Sequence, residues 1–421
     1  MANTYLLKSL DAGLTDGNSK TWTWSGWFKR SKVGDSQVLW SWGNAGSSDA
    51  YFWINDDDKF LCLMDGQYGA AGFISTRTFK DVNAWYHLVF RCDVTEAANA
   101  DRWRVYINGE QITMATQTIS NATSIVNQVT TVNAAIGRRQ RASSIGEYYN
   151  GYMAQVVVVD GTAYGPTTFG SFDATTGEWK PKADGEIRSA VTFGTNGGLY
   201  PMSNASYLGY DYQSSDRSGT TNDYTKGGDG LQCQDNPSNN FPLLNSLWMP
   251  FDDPSISIDN GNLHVQTQTS AGTHFGGAAT MGVSKGKWYW ENECGSSGFN
   301  GAAIGVYNDP AESARLKYTC GRNTYDWSYR SDGQVESNNT TQTSTGTTYT
   351  GGDVVGTYLD LDNNKIYFAK NGSIINSGTG WTVTAAGSTT TGFYFPGQGD
   401  ISGGASGSYF SLNFGQGWFN K

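Results

Sequence analysis

Apolar and polar residues alternate along much of this chain, and this period-two pattern limits the available folds more than any other feature. Trp22, Trp24 and Phe28 share one face of the first such segment, and the alternation recurs over residues 37–42 and 85–92. Alternating aromatic and β-branched residues are typical of strands, whereas a helix repeats its apolar residues every three or four positions. The pattern therefore predicts a chain built from strands.

Turn residues between these segments indicate how the strands connect. Asn108-Gly109 and Asn371-Gly372 each follow an apolar strand, and Asn-Gly supplies the positive φ angles that close a two-residue hairpin. The best helical candidate, residues 309–316, spans two turns at most. Short strands separated by turn residues are typical of sandwiches. We predict an all-β fold of two antiparallel β-sandwich (jelly-roll) domains joined by a Gly/Ser/Asn-rich linker.

The composition changes between the two strand-rich halves. Residues 196–240 are rich in Gly, Ser, Asn, Asp and Tyr and show no sustained alternation, which is typical of a loop or linker. Their tyrosines indicate that the segment packs on something, since free linkers rarely carry aromatics. We place the first domain at 1–182, the irregular linker at 183–241 and the second domain at 242–421.

Charge and apolar content exclude several classes of function. The 421 residues include 28 Lys and Arg against 38 Asp and Glu, a net charge of -10, which argues against binding nucleic acid. No apolar run of about 18 residues is present, so we expect no membrane insertion. The first residues contain no basic segment followed by an apolar stretch, so we expect no signal peptide.

Three segments of the N-terminal half and a closing pair of segments have the order and spacing of a known fold. They are residues 24–29 (WSGWFK), 85–89 (WYHLV), 105–109 (VYING), and the closing pair 135–137 (AIG) and 151–154 (GYMA). Together they resemble a laminin-G-like, concanavalin-like jelly roll over about residues 1–182.

The C-terminal half contains a second set of ordered segments. They are residues 286–291 (GKWYWE), 301–306 (GAAIGV), 352–356 (GDVVG), 366–372 (IYFAKNG), 393–396 (FYFP) and 410–415 (FSLNFG). This set resembles a SPRY-type sandwich over about residues 242–421.

The combination of these two sandwiches across a Gly- and Asn-rich segment is similar to virion proteins of tailed bacteriophages. The resemblance implies a protein made in the host cytoplasm, without a signal peptide, and then displayed on the virion. It also implies other virion proteins as partners and assembly as a homo-oligomer.

The sequence offers little support for catalysis. Concanavalin-like sandwiches include glucanases, which place carboxylates at alternate positions of one strand, as in Glu-x-Asp-x-Glu. The nearest approach is Glu291 and Glu293, which lie in the SPRY-like half, where the resemblance implies a structural glutamate. His87, His264 and His274 have no partner at metal-ligand spacing. We therefore predict that the chain is not an enzyme.

Binding is the class of function that the sequence favours, because sandwich loops carry function on a rigid scaffold. Exposed aromatic rings can stack on sugars while neighbouring polar groups bond to the hydroxyls. The candidate ligand-binding residues are Tyr148, Tyr149, Tyr325, Trp327 and Tyr329. For the last three, which alternate along one strand, a place in the core is the alternative.

Two acidic turns are rich in oxygen ligands, of which calcium prefers six to eight. Asp360 and Asp362, together with two asparagines, form the candidate metal site. For the run 56–58, which lies between two apolar segments, a hairpin turn is the favoured interpretation. No other cofactor is predicted.

These observations lead to one functional hypothesis and two alternatives. The chain is predicted to be a phage virion structural protein, in a capsid decoration, fibre or tail appendage, that binds carbohydrate on the host surface. One alternative is a purely structural cementing or assembly protein of the virion. The other is a polysaccharide-degrading tail protein.

Overall fold

The computed structural model divides the chain into two compact units, which we call unit 1 (Met1–Asn240) and unit 2 (Phe241–Lys421). Both are built almost entirely from antiparallel strands, so the predicted all-β class with two domains is confirmed. The structure describes residues 3–9, 20–43, 49–64, 73–115, 133–140, 145–214, 222–248, 256–267, 275–295, 301–310, 319–401 and 408–417. His274 and most of the predicted helix 309–316 lie outside these ranges.

Unit 1 contains short strands and two short helices among its described residues. The helices are α1 (Asn99–Arg102) and α2 (Asp184–Ala190), with one 3-10 turn at Pro166–Thr168. The strands are β1 (Tyr5–Ser9), β2 (Thr21–Arg30), β3 (Gln37–Gly43), β4 (Asp49–Ile54), β5 (Lys59–Met64), β6 (Phe73–Thr78), β7 (Trp85–Asp93), β8 (Trp103–Ile107), β9 (Glu110–Gln111), β10 (Asn133–Ile136), β11 (Gly151–Asp160), β12 (Gly170–Phe172), β13 (Trp179–Pro181), β14 (Gly198–Tyr200) and β15 (Thr225–Gly227).

Two sheets of unit 1 enclose its main core. In the described part of the chain, one sheet has the order β15-β1-β10-β3-β4-β5-β6 and the other β14-β11-β2-β7-β8-β9. Trp22, Trp24 and Phe28 point inward from β2, as their alternation predicts, and pack in the main core. Asn108 and Gly109 both have positive φ angles, and they close the β8–β9 hairpin as predicted.

A second apolar layer covers the other face of the six-stranded sheet in unit 1. Val89 and Val157 point outward from that sheet and pack with Phe169, Ile187 of α2 and Leu199 in one buried cluster. Every residue of β2 after its first is accordingly buried, on both faces of the strand. The covering residues come from the chain that follows β11, so this sheet is a middle layer.

The segment 183–241, for which the sequence predicts a linker, contributes regular elements to unit 1. It contains α2 and β14, which pairs with β11, and also β15, which pairs with β1. The segment packs on unit 1 through its tyrosines, because Tyr200 and Tyr224 are buried in the main core. Up to Asn240 the segment groups with unit 1.

Unit 2 is a sandwich of two antiparallel sheets in the described residues. Its 3-10 turns are Ser246–Trp248, Asn376–Gly378 and Ala386–Ser388. The strands are β16 (Ile256–Asp259), β17 (His264–Thr267), β18 (Phe275–Ala278), β19 (Lys287–Cys294), β20 (Ala302–Tyr307), β21 (Trp327–Arg330), β22 (Gln334–Ser337), β23 (Thr340–Ser344), β24 (Val354–Asp360), β25 (Lys365–Lys370), β26 (Ser373–Ile374), β27 (Trp381–Thr382), β28 (Phe395–Asp400) and β29 (Tyr409–Asn413).

The sheets of unit 2 follow the orders β16-β17-β29-β19-β24-β25-β26, with β27 also paired to β25, and β18-β28-β20-β21-β22-β23. Their inner faces enclose one core, in which Trp290, Ile304 and Phe368 are buried. Asn371 and Gly372 take positive φ angles between β25 and β26, which confirms the second predicted hairpin. In the part of the chain that the structure describes, neither unit has a helix long and apolar enough to span a membrane.

Candidate functional site

A row of three tyrosines crosses the outer face of the larger sheet in unit 2. Tyr289 of β19 lies opposite Tyr358 of β24, which in turn lies opposite Tyr367 of β25. Most of their neighbours along each strand are buried, because successive side chains of a strand alternate between faces, whereas Trp288 near the start of β19 is 49% exposed. The ring centroids of Tyr289 and Tyr358 are 4.4 Å apart. We call Tyr289, Tyr358 and Tyr367 the tyrosine row.

Glycines let two rings of this row lie close to the backbone. A Cβ atom at Gly356 would come within 3.1 Å of the Tyr289 ring, and one at Gly380 within 2.5 Å of the Tyr367 ring. Aromatic side chains laid over strand glycines stabilise a sheet while leaving one ring face outward. Tyr289 retains 45% of its surface exposed, and the other two rings are partly exposed.

A fixed carboxylate lies beside the row. The hydroxyl of Tyr289 donates a hydrogen bond of 2.6 Å to Oε1 of Glu291, and Nδ2 of Asn413 donates one of 3.2 Å to Oε2. Partial burial, and then the bond to Glu291, raise the pKa of Tyr289 above its usual value, so its hydroxyl stays protonated. The site therefore combines exposed aromatic faces with oriented acceptor oxygens, which is the chemistry that binds a ring bearing hydroxyl groups.

Two of the predicted binding aromatics on β21 are buried instead. Trp327 and Tyr329 belong to the core of unit 2, and the Tyr329 hydroxyl donates 2.7 Å to the backbone oxygen of Thr347. Tyr325 is partly buried and packs against the same core. Their alternation marks the inward face of a strand within the smaller sheet. The expectation of exposed rings does not hold for Trp327 and Tyr329, and the alternative of core packing does.

The adjacent tyrosines predicted in unit 1 differ from each other. Tyr149 is buried in the main core, edge-on to Phe28, and burial raises the pKa of its hydroxyl. It cannot stack on a ligand from this position. Tyr148 is partly buried, and its ring centroid lies 6.1 Å from that of Tyr5. The guanidinium of Arg138 lies 3.4 Å from the Tyr5 ring centroid.

The acidic turn proposed as a metal site bonds to the protein's own groups. Asp360 accepts a hydrogen bond of 2.8 Å from Nδ2 of Asn363 and pairs with Lys287 at 3.3 Å. The bond from Asn363 contributes most to lowering the pKa of Asp360. Asp362 accepts 2.9 Å from the backbone nitrogen of Gly286. Among the described residues, no three acidic, His or Cys side chains are grouped as metal ligands.

The tyrosine row was missed in the sequence although a signal for it exists. Tyr289 and Glu291 alternate with buried Trp290 and Asn292, so the outward face of β19 could be read from the pattern. What the pattern does not supply is the register that aligns three strands. Tyr358 and Tyr367 come opposite each other only through the β24–β25 pairing.

Comparisons with known proteins identify the two units separately. The family model described as the Concanavalin A-like lectin/glucanases superfamily, Laminin_G_3, matches residues 7–164. The SPRY domain model matches residues 287–396. No curated protein matches this chain.

Solved structures that are similar to parts of this chain include the following two. The SPRY domain of human HERC1 is 20% identical, covers 42% of this chain and 99% of its own, and has a TM-score of 0.32. A native heptameric SAP-like pentraxin from Limulus polyphemus is 14% identical, covers 38% of this chain and 71% of its own, and has a TM-score of 0.28.

The two family matches fall in different units of the structure, 7–164 within unit 1 and 287–396 within unit 2. Both kinds of domain indicate a carbohydrate- or protein-binding role. The chain thus carries a concanavalin A-like lectin/glucanase domain followed by a SPRY domain.

Proposed function

We propose that this chain is a non-enzymatic virion protein of a tailed bacteriophage and that it binds a glycan of the host surface through the tyrosine row of unit 2. The observation that carries the binding part is the row itself, with Glu291 fixed beside it by two hydrogen bonds.

The chemistry of the row suits a sugar chain. The C–H face of a pyranose ring buries apolar surface on a tyrosine, and each exposed tyrosine offers such a face with a polar tip. The Glu291 oxygens, held by Tyr289 and Asn413, can accept hydrogen bonds from sugar hydroxyls. Because these groups are already fixed by the sheet, little side-chain entropy is lost when a ligand binds.

The virion part of the proposal is supported by the sequence. The order of a laminin-G-like sandwich, a Gly- and Asn-rich segment and a SPRY-like sandwich is similar to phage virion proteins, which are made in the host cytoplasm and then displayed outside. We propose other virion proteins as partners, a homo-oligomeric assembly, and a position in the capsid decoration, a fibre or a tail appendage.

A purely structural role in cementing or assembling the virion is the second candidate. Tyrosines are enriched at protein interfaces, and a sheet face presents a broad surface rather than a cleft. In that case the tyrosine row would bind another virion protein instead of a sugar.

A glycan array probed with the full chain tests the binding proposal. The wild type should retain a set of host-surface glycans, and Tyr358→Ala should weaken that binding by about tenfold, or about 1.4 kcal/mol, because it removes the middle ring. Tyr207→Ala is the matched control, since Tyr207 is an exposed tyrosine of unit 1 outside the row. Absence of glycan binding by the wild type, or equal loss in both variants, would contradict the proposal.

Two further measurements test the remaining parts. Cryo-EM of purified particles should find the chain on the capsid or tail, with the outer face of the larger sheet of unit 2 accessible to solvent. A face sealed against a neighbour would instead support the cementing role. Incubation of the chain with host capsule should release no reducing sugar, whereas release would favour the polysaccharide-degrading alternative.

A further inference from the structure

A lysine lies in the core of unit 1, at an inward position of its first strand. Leu6 and Lys8 occupy the same face of β1, and Leu6 is part of the main core. Lys8 has only 4% of its surface exposed. The pairing of β1 with β15, in which Leu7 lies opposite Thr225, brings Lys8 next to the chain that leads into β15.

The Lys8 amine meets the side-chain amide of Asn222, which is itself only 2% exposed. Nζ of Lys8 is in hydrogen-bond contact with Oδ1 of Asn222. The other end of the amide is also fixed, because Nδ2 donates 3.0 Å to the Thr195 oxygen and 2.8 Å to the Gly197 oxygen. The amide is therefore oriented, with its oxygen toward the amine and its nitrogen toward two carbonyl acceptors.

A buried carboxyl group and a tyrosine complete this cluster. Asp211 has no exposed surface, and a Cβ atom at Gly198 would lie 3.0 Å from its Cγ and 2.4 Å from the Tyr200 hydroxyl oxygen. That hydroxyl donates 2.7 Å to the backbone oxygen of Asn222. Both groups thus stand over the same glycine of β14, beside the Asn222 segment.

Burial shifts the pKa values of the Lys8 amine and the Asp211 carboxyl toward each other. Burial lowers the pKa of Lys8 to about 8, against the attraction of three carboxylates of which Asp211 has the largest effect. A larger fraction of the amine is then unprotonated and nucleophilic near neutral pH. Burial raises the pKa of Asp211, which makes its carboxylate a better acceptor for the proton that the amine gives up.

We propose that Lys8 and Asn222 become joined by an intramolecular isopeptide bond after unit 1 folds. The unprotonated Nζ attacks Cγ of Asn222, the Nζ–Cγ bond forms, and the Cγ–Nδ2 bond breaks. One proton from Nζ passes through the carboxyl of Asp211 to Nδ2, which leaves as ammonia. No oxidant, metal or cofactor is consumed, and the product closes residues 8–222 into one covalent loop.

A second buried lysine of unit 1 supplies an internal control. Nζ of Lys29 lies 2.8 Å from Oδ2 of Asp235 and 2.7 Å from Oδ1 of Asn240. Burial lowers the pKa of this amine as well, but a carboxylate lies in direct contact with it and opposes that shift, and the neighbouring amide belongs to Asn240, which is exposed. Lys29 should therefore stay unmodified although it is as deeply buried as Lys8.

Intact-mass measurement of the denatured full chain is the first test. The bond lowers the mass by about 17 Da, the mass of the ammonia lost when a lysine amine displaces an amide nitrogen. Proteolysis and tandem mass spectrometry should then recover a branched peptide joining Lys8 to residue 222, and a linear peptide containing Lys29. The full sequence mass, with Lys8 recovered in a linear peptide, would overturn the proposal.

Two variants test the assignment of roles in the folded protein. Lys8→Arg keeps a positive charge but cannot form the bond, so its mass should equal that of its sequence. Asp211→Asn should fold, because its amide oxygen can accept the bonds that the backbone nitrogens of Leu199 and Gln213 donate to Oδ1 of Asp211, yet it should show no loss of ammonia. Formation of the bond in Asp211→Asn would overturn the role given to Asp211.

A cleavage test shows the bond independently of mass. A protease site placed in the exposed turn between β12 and β13, at residues 174–177, separates Lys8 from Asn222 along the chain. After cleavage and denaturation, the two fragments should migrate as one covalent species in the otherwise unchanged chain. In the Lys8→Arg background they should separate, and separation in both backgrounds would contradict the proposal.

Discussion

The six-stranded sheet of unit 1 and the larger sheet of unit 2 are both antiparallel, but they differ in what lies on their outer faces. In unit 1 the chain after β11 covers the sheet, so that Val89 and Val157 are buried on its outer side. In unit 2 the corresponding outward positions of β19, β24 and β25 hold the partly exposed tyrosine row. The first sheet is a middle layer, and the second keeps a surface for contact.

This difference shows why polar residues at outward strand positions mean different things in the two units. On the covered sheet, Ser25, His87 and Lys29 are buried and each has a specific partner. On the exposed sheet, Glu291 is oriented by Tyr289 and Asn413 but stays partly accessible. The covered set contributes to stability, and the exposed set is the one that we propose to bind a ligand.

The largest effect should follow removal of the partner of Lys29. Asp235 accepts 2.8 Å from Nζ of Lys29 and 2.9 Å from Nε1 of Trp85, and the lysine and aspartate side chains have no exposed surface. Asp235→Ala leaves a buried charge unpaired, which should lower the free energy of unfolding of unit 1 by about 3–5 kcal/mol. Urea unfolding, monitored by hydrogen exchange in peptides from β2 and β7, measures this loss of stability.

Asp35→Ala is the control for that prediction, because Asp35 pairs with Lys32 while both side chains are about half exposed. An exposed pair contributes about 0–1 kcal/mol, so this variant should stay close to the wild type. Equal effects of Asp35→Ala and Asp235→Ala would mean that the chain after β11 does not bury Lys29.

The next effect tests the covering helix itself. Ile187 of α2 has no exposed surface and packs on Val89 and Val157, so Ile187→Ala should cost unit 1 about 2–5 kcal/mol. Ile374→Ala makes the same change at a position 45% exposed on β26 of unit 2, and it should change stability by less than about 0.5 kcal/mol. Similar losses from the two variants would remove the distinction between covered and exposed faces.

His87 should make the covered face sensitive to acid. Nε1 of Trp179 donates 2.9 Å to Nδ1 of His87, so the ring is neutral with its proton on Nε2, which contacts Oγ of Ser25 at 2.8 Å. Burial lowers the pKa of His87 to about 3. Below its unfolded pKa of about 6.5 the unfolded state binds the extra proton, so stability falls by about 1.4 kcal/mol per pH unit toward pH 3.

Urea unfolding at several pH values checks this dependence against His87→Gln, which keeps a neutral side chain able to donate and accept. Between about pH 6 and pH 4 the wild type should lose about 2–3 kcal/mol more than the variant. Parallel stability profiles for the two proteins would show that His87 does not titrate on unfolding.

The sequence was sufficient for the strands and hairpins because those are local. Alternation placed Trp22, Trp24 and Phe28 on one inward face, and the two Asn-Gly turns closed the hairpins expected of them. The same locality explains why the prediction of exposed rings on β21 is wrong. Alternation shows that the rings share one face of the strand, but it does not show whether that face points to the core. Trp327 and Tyr329 face inward.

Long-range pairing is the part that the sequence could not supply. Lys29 meets Asp235, and Lys8 meets Asn222, across more than 200 residues of chain. An inward lysine beside Leu6 is a local anomaly in a strand pattern, but its partner becomes visible only when β15 pairs with β1. The tyrosine row depends in the same way on the register of three strands.

The smallest expected effect concerns the polar part of the exposed face. Tyr289→Phe keeps the ring over Gly356 but removes the hydroxyl that donates 2.6 Å to Glu291. A hydrogen bond at a partly exposed position contributes about 0.5–1.5 kcal/mol, so the stability of unit 2 should change by no more than this.

If the row binds glycan through both ring and carboxylate, the affinity of Tyr289→Phe should lie between those of the wild type and Tyr289→Ala. Isothermal titration with a glycan that the array identifies measures all three, and an affinity of Tyr289→Phe equal to that of the wild type would assign the binding to the rings without Glu291.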